Sequence, residues 1–162
     1  MDISRDADGV KLRVRAVLLD DTDRLVVFRR IRPGREPYYS TPGGGVEPGD
    51  GTLTDALRRE LDEELRATIT EPVSLLAIDR VHDNGKHNRH LIFAARLLSM
   101  RPQDKYGPEF TDPDRGRYEL TAIPFTPGDL AAANLRPPQL KEYLRANAPA
   151  ILADLPRPAS AR

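Results

Sequence analysis

The sequence predicts an α+β or mixed α/β sandwich in one domain, and three observations carry that prediction. Strand-like runs flank a short acidic helix, a glycine-rich loop feeds that helix, and a further strand and helix close the chain. Lys11 to Asp20, KLRVRAVLLD, begins as alternation with Leu12, Val14 and Ala16 on one side, then turns wholly apolar, as a strand entering a core does. Asp21 to Asp23 turn the chain, and Arg24 to Arg30 returns as a second strand. Ile31 to Pro37, with Pro33, Gly34 and Pro37, is loop. Tyr38 to Thr41 is one short extended piece, Gly43 to Gly51 a glycine-rich loop, and a helix starts near Thr52, where Thr52 and Asp55 resemble a capping box.

That helix ends near Arg66, because the β-branched run Thr68-Ile69-Thr70 and then Pro72 cannot extend it. Val73 to His82 and His87 to Leu98 form a hairpin, with Asn84 and Gly85 as a type I′ turn. Met100 to Gly116 is a long polar loop and Arg117 to Pro124 a further strand. Pro137 to Asn147 is a helix opened by prolines in its first turn. Residues 1–154 read as a single domain and 155–162 as a flexible C-terminal tail.

Composition narrows the function classes. An apolar fraction of 39% over 162 residues supports one core and little more. Without cysteine there is no disulfide and no thiolate site, so a metal must be held by oxygen or by His82, His87 and His90. Oxygen is the better donor, since alternation would send those histidines to different faces. Acidic and basic residues number 25 each, which does not favour nucleic acid or an anionic membrane as partner. Met1 to Asp8 is polar, and no apolar run is long enough to span a bilayer. A soluble cytoplasmic protein without a membrane partner is expected. Oligomeric state is unreadable, and a homodimer stays open.

The informative segment is Leu53 to Leu65, LTDALRRELDEEL. At about 100° per residue from Glu60, the leucines at 53, 57, 61 and 65 fall at roughly 20°, 60°, 100° and 140°, which defines the buried face. Asp55, Arg59, Asp62 and Arg66 fall at roughly 200° to 260°, opposite the core, as ordinary surface charges do. Glu60 and Glu64 fall at roughly 0° and 40°, among the leucines, with Glu63 on the shoulder at roughly 300°. Two carboxylates at i,i+4 repel, and placing them beside a core adds desolvation of several kcal/mol per unpaired ion. Positive charge is required there. A divalent cation meets the requirement, since oxygens converging from one helical face suit Mg²⁺ or Mn²⁺, and an arginine from elsewhere in the fold would meet it too.

Directly before the helix, Pro42-Gly43-Gly44-Gly45-Val46-Glu47-Pro48-Gly49-Asp50-Gly51 lets backbone approach a ligand, and its N–H groups can meet phosphate oxygens. Loop and helix together resemble the Nudix box of the Nudix hydrolase family (MutT-like), G-x5-E-x7-R-E-U-x-E-E-x-G-U, where U is a bulky aliphatic residue. Gly44 fits the first glycine, Asp50 the first acid, and Arg59-Glu60-Leu61-Asp62-Glu63-Glu64 the central run. The wider order of elements is similar to that family's α/β/α sandwich, with a mixed sheet between helices. The departures are Asp50 for Glu, eight residues instead of seven between it and Arg59, Arg66 in place of the closing glycine, and Ala67 after it.

The resemblance implies a hydrolase that cuts the diphosphate linkage of a nucleoside diphosphate joined to another moiety. It implies Mg²⁺, or Mn²⁺, held by Glu60, Glu63 and Glu64, with the Gly43 carbonyl as a further ligand and Arg59 orienting an acid. Glu60 or Glu109 would be the general base. Arg29, Arg30, Arg32 and Arg35 could clamp phosphates in a bidentate way or merely solubilise a strand edge. Gly44 and Gly45 would lie against the substrate, and Tyr38 or Tyr39 would stack on it or pack in the core. The partner implied is a small nucleotide or sugar diphosphate. Two other readings compete: a noncatalytic module of the same fold that binds such a molecule, and a structural helix whose acids pair with core arginines. Dinucleotides, nucleoside triphosphates, ADP-ribose, nucleotide sugars and capped RNA are all open as substrates.

Overall fold

Residues 2–104 and 117–158 are described in a computed structural model. Two strands, β1 (Lys11–Leu19) and β2 (Arg24–Ile31), open the chain, followed by β3 (Tyr38–Ser40), β4 (Gly43–Gly45) and α1 (Leu53–Leu65). Then come β5 (Thr68–Ile69), β6 (Val73–Val81), β7 (His87–Ser99), a 3₁₀ turn at Pro102–Asp104, β8 (Arg117–Pro124), α2 (Pro127–Ala132) and α3 (Pro138–Asp154). One mixed sheet runs β3-β2-β1-β7-β5, with β4 also on β1, β6 on β7 and β8 on β2. β1 and β7 are parallel from Lys11↔Asn88 to Leu19↔Arg96.

Alternation along β1 distributes the core to both faces of the sheet. Leu12, Val14, Ala16 and Leu18 pack with Leu57, Leu61 and Leu65 of α1, whereas Val17 and Leu19 pack with Leu130, Leu140, Leu144 and Ile151 of α2 and α3. Val17, Leu18 and Leu19 read as an unbroken apolar run because helices cover both faces there. The three α1 leucines at 57, 61 and 65 are fully buried, each contributing about 1.5–3 kcal/mol by removal from water. This is the expected α+β sandwich.

β1 and β2 pair only beside their turn, at Leu19↔Leu25. Farther along, β4 takes the edge of β1 at Arg13 to Arg15, and β3 takes the edge of β2 at Phe28 to Arg30. The sheet is therefore split, and a cleft opens in the split.

Several local expectations change. Gly43–Gly45 is a strand and not only a loop: a Cβ on Gly43, at φ +150°, would lie 2.0 Å from the Val14 carbonyl oxygen, so only glycine permits that pairing. The hairpin turn is not type I′, because Gly85 has positive φ and Asn84 does not. Gly85 N–H bonds the His82 carbonyl and His82 N–H bonds the Lys86 carbonyl, so the reversal occupies more than two residues and ends on a left-handed glycine. α3 runs past Asn147 to Asp154, carrying Pro149 on its exposed side, and the burial of Ala148 and Ile151 holds the later turns against the core. α2 was not expected, although Thr126 caps it through Asp129 N–H and Pro127 stands in its first turn.

Leu155 is a core residue, 5% exposed, and Arg157 donates to Asp23 at 2.8 Å, so the chain is anchored past the end of α3. Residues 159–162 lie outside the described residues. Among the described residues no helix is long and apolar enough to cross a membrane.

Candidate active site

α1 begins at Thr52, whose hydroxyl accepts from Asp55 N–H at 3.0 Å, and ends at Arg66, held in the left-handed region at φ 47°, ψ 47°. Arg66 thus occupies the position where the family motif has glycine, with its N–H bonded to the Asp62 carbonyl at 2.9 Å. The helix phase between these caps places Glu60 (8% exposed) and Glu64 (6% exposed) in the protein, as the angular pattern predicts. Both line a recess of about 170 Å³ together with Arg13, Arg15, Phe28, Tyr118 and the three glycines of β4.

The glycines set the approach of β4 to the acids. Gly43 N–H donates to Glu64 Oε1 at 2.7 Å. A Cβ on Gly44 would stand 2.4 Å from the Glu60 carboxyl, so the strand can lie over that acid only with glycine there. The Gly43 carbonyl, expected as a metal ligand, has Arg15 Nη1 at 3.5 Å, and the same nitrogen donates to the Thr41 carbonyl at 3.1 Å.

Arg59 is the centre of the charged side of α1. Its Nε and Nη2 form a fork on Asp50 at 2.9 Å each, its Nη2 reaches the Gly45 carbonyl at 3.0 Å, and its Nη1 touches Glu60 at 3.1 Å and Glu63 at 3.3 Å. The hydrogen bond to Asp50 raises the Arg59 pKa further, and in return Arg59 holds Asp50 below the usual carboxylate range. Asp50, at the altered position of the motif, is therefore an anchor for Arg59. The eight-residue spacing is accommodated by folding Asp50 back over the helix, where its Oδ2 also accepts from Glu47 N–H at 2.8 Å.

Burial, with help from Arg13, lowers the Arg15 pKa to about 10, and Glu64 and Glu60 oppose that shift. Arg15 and Arg59 are the arginines that the alternative structural reading required beside the acids. Among the described residues, no three carboxylates or imidazoles converge as a ready-made cage for an ion. The donor set still fits Mg²⁺, which is commonly held by one or two carboxylates with waters and substrate phosphates completing its shell. Glu60 and Glu64 supply hard oxygens to the recess, whereas Glu63 is turned toward Arg59 and does not line it.

The recess continues into an outer cleft of about 800 Å³ lined by Arg30, Arg32, Arg35 and Tyr38 among others. Two sequence-derived substrate residues are placed elsewhere. Arg29 pairs with Glu119 across β2 and β8 at 3.3 Å and lines neither cavity, because alternation turns it away from Arg30. Tyr39 packs against the α3-side core, so Tyr38 is the tyrosine of this pair that lines the cleft. Glu109 lies outside the described residues.

Sequence reasoning missed Arg13, Arg15, Arg80 and Arg136, all of which line the outer cleft. For Arg13 and Arg15 the signal was present, since they alternate with Leu12, Val14 and Ala16 on β1. His82 and His90 also line the cleft, and burial, with Arg15, Arg13 and Arg80 nearby, lowers the His90 pKa to about 3. That ring is neutral at ordinary pH.

A mixed sheet between helices, with a glycine strand laid on an acidic helix, defines the class. Residues 10–140 match the family model described as NUDIX domain, and the chain belongs to the Nudix hydrolase family. It is similar in structure to a NUDIX hydrolase from Nitrosomonas europaea, with TM-score 0.63 and 20% identity over 92% of this chain and 97% of that one. It is also similar to a MutT NUDIX hydrolase from Burkholderia pseudomallei, with TM-score 0.57 and 21% identity over 83% and 95% of the two chains. The E. coli ORF135 protein gives TM-score 0.55 and 21% identity over 95% and 99%. No curated protein matches the sequence.

Proposed function

We propose that the chain hydrolyses the diphosphate linkage of a small nucleotide or sugar diphosphate, as a single-domain, Mg²⁺-dependent cytoplasmic enzyme, with Mn²⁺ able to substitute. The observation that carries this reading is the pair Glu60 and Glu64, buried at the floor of a recess that opens into an arginine-lined cleft. Glu60 and Glu64 would hold the cation, with Glu63 joining by turning from Arg59. When bound, the cation supplies charge that neutralises the diphosphate and makes a water more acidic.

The protein's own groups do the rest. Gly43 N–H fixes the rotamer of Glu64, and Arg59 orients Glu60. Glu60 is the general base within the described site, taking a proton from the water that attacks phosphorus as the bridging P–O bond breaks. Glu109 is the other candidate for that task. Arg30 and Arg32 draw the phosphoryl oxygens into the cleft. The test is a Mg²⁺-supported screen of dinucleotides, nucleoside triphosphates, ADP-ribose, nucleotide sugars and capped RNA, comparing wild type with Glu64→Gln. Turnover of at least one by wild type, lowered on the order of a hundredfold in the variant, supports the reading. No turnover, or a variant equal to wild type, overturns it.

A further inference from the structure

We infer that the substrate is a small polyphosphorylated molecule, carrying at least two phosphoryl groups besides the hydrolysed diphosphate, and that these extra groups occupy the outer cleft. The reading of the site as a diphosphate hydrolase underlies this inference, which adds what the rest of the substrate must be.

Charge pairing differs between the cleft and the remaining surface. Outside the cleft most arginines stand next to acids: Arg24 with Asp20, Arg58 with Glu71, Arg66 with Asp62, Arg89 with Asp79, Arg96 with Asp23, Arg145 with Glu142. Inside it, Arg13, Arg30, Arg32, Arg35, Arg80 and Arg136 have no carboxylate within ion-pair distance among the described residues, and Arg15 adds a further charge at the inner end. Glu36 is the one acid among the residues lining this cleft. A chain with 25 acidic and 25 basic residues has acids enough to pair these arginines, yet among the described residues the acids other than Glu36 lie outside this cleft. Gathering like charges in a concave, low-dielectric wall is unfavourable without a counter-charge, and the same wall focuses the field on an anion that enters.

The orphaned donors point the same way. Nε of Arg30 and Nε of Arg32 are buried and have no hydrogen-bond partner. Guanidinium donors in a fixed fork match phosphoryl oxygens, and leaving such a donor unpaired is costly. Tyr38, the tyrosine on this wall, already has the Arg30 and Arg136 guanidiniums 5.9 and 5.8 Å from its centroid. Each phosphoryl group brings at least one negative charge, so a bare diphosphate seated on Glu60 and Glu64 would leave most of the outer arginines uncompensated. The volume of about 800 Å³ suits a small ligand and not a nucleic-acid duplex.

The experiment is calorimetric titration of the full chain, without divalent cation, using pyrophosphate, tripolyphosphate and tetrapolyphosphate, with a single-stranded DNA oligonucleotide as a separate arm. Affinity should rise about tenfold or more from pyrophosphate to tetrapolyphosphate, and Arg35→Ala combined with Arg136→Ala should remove most of that rise. Both side chains are exposed, so the variant should keep its fold, which its melting temperature checks. Equal affinity across the series, a rise unaffected by the double variant, or an oligonucleotide that binds more tightly than tetrapolyphosphate would overturn the inference. Failure of the hydrolysis screen leaves this series able to decide by itself, whereas turnover with flat chain-length dependence sinks only the polyphosphate inference.

Discussion

Gly43 donates its backbone N–H to Glu64 Oε1 at 2.7 Å, so one hydrogen bond joins the glycine strand to the acidic helix and fixes a buried carboxylate. Neighbouring glycines should therefore fail in different ways. Gly43→Ala puts a Cβ against the Val14 backbone, which cannot retreat, and should cost about 3 kcal/mol or more in urea unfolding. Gly44→Ala meets only the flexible end of Glu60, so the fold should survive while kcat/KM falls on the order of a hundredfold. Comparable stability losses in both variants would contradict this account.

Arg59→Lys keeps the charge and loses the fork on Asp50. Lysine offers a point charge where Arg59 now serves Asp50, Gly45, Glu60 and Glu63 at once. Stability should drop by about 1.5–3 kcal/mol, with kcat falling more than KM rises. An Arg59→Lys enzyme with wild-type kcat would show that Arg59 does not position Glu60.

Arg66→Gly should stabilise the protein. The residue holds φ 47°, a region costly for any side chain with a Cβ, and its ion pair with Asp62 is only half-buried and therefore weakened by solvent. Glycine relieves the strain and adds unfolded-chain entropy, for a net gain of about 0.5–1 kcal/mol. A thermal melt reads the gain, and a lower melting temperature than wild type would refute it.

His90 should make the protein acid-sensitive. Its folded pKa, about 3, lies below the unfolded value of about 6.5, so the unfolded chain binds more protons between those limits. The His90 contribution to stability is complete above about pH 6.5 and declines as pH falls toward 3. His90→Gln, which cannot take up that proton, should show a shallower loss over the window in urea titrations. Identical slopes for the two proteins would mean that His90 is not held neutral by its burial.

Glu60 and Glu64 were legible because a helix repeats every 3.6 residues whatever surrounds it, and two acids among Leu57, Leu61 and Leu65 are visible in that phase alone. Thr52 as cap and the paired strands β6 and β7 were legible for the same local reason. Gly43 to Gly45 were recognisable as a backbone approach, but not as a strand, because pairing with Arg13 to Arg15 joins segments far apart in the chain.

The arginine cleft was the least legible feature. Arg30 and Arg32 stood out in a basic run, yet Arg13, Arg80 and Arg136 come from three other elements that meet only when β1, β7 and β6 lie side by side and the chain entering α3 reaches Tyr39. Arg29 and Arg30 are neighbours in one basic run, but alternation gives Arg29 to Glu119 and Arg30 to the cleft. The sequence by itself determined the acidic helix, its caps and the residues available for hard-cation chemistry, since these depend on interactions within a few residues. The tertiary structure decided which arginines are paired and which are left facing the cleft, because charge pairing depends on distances between segments that local periodicity does not contain.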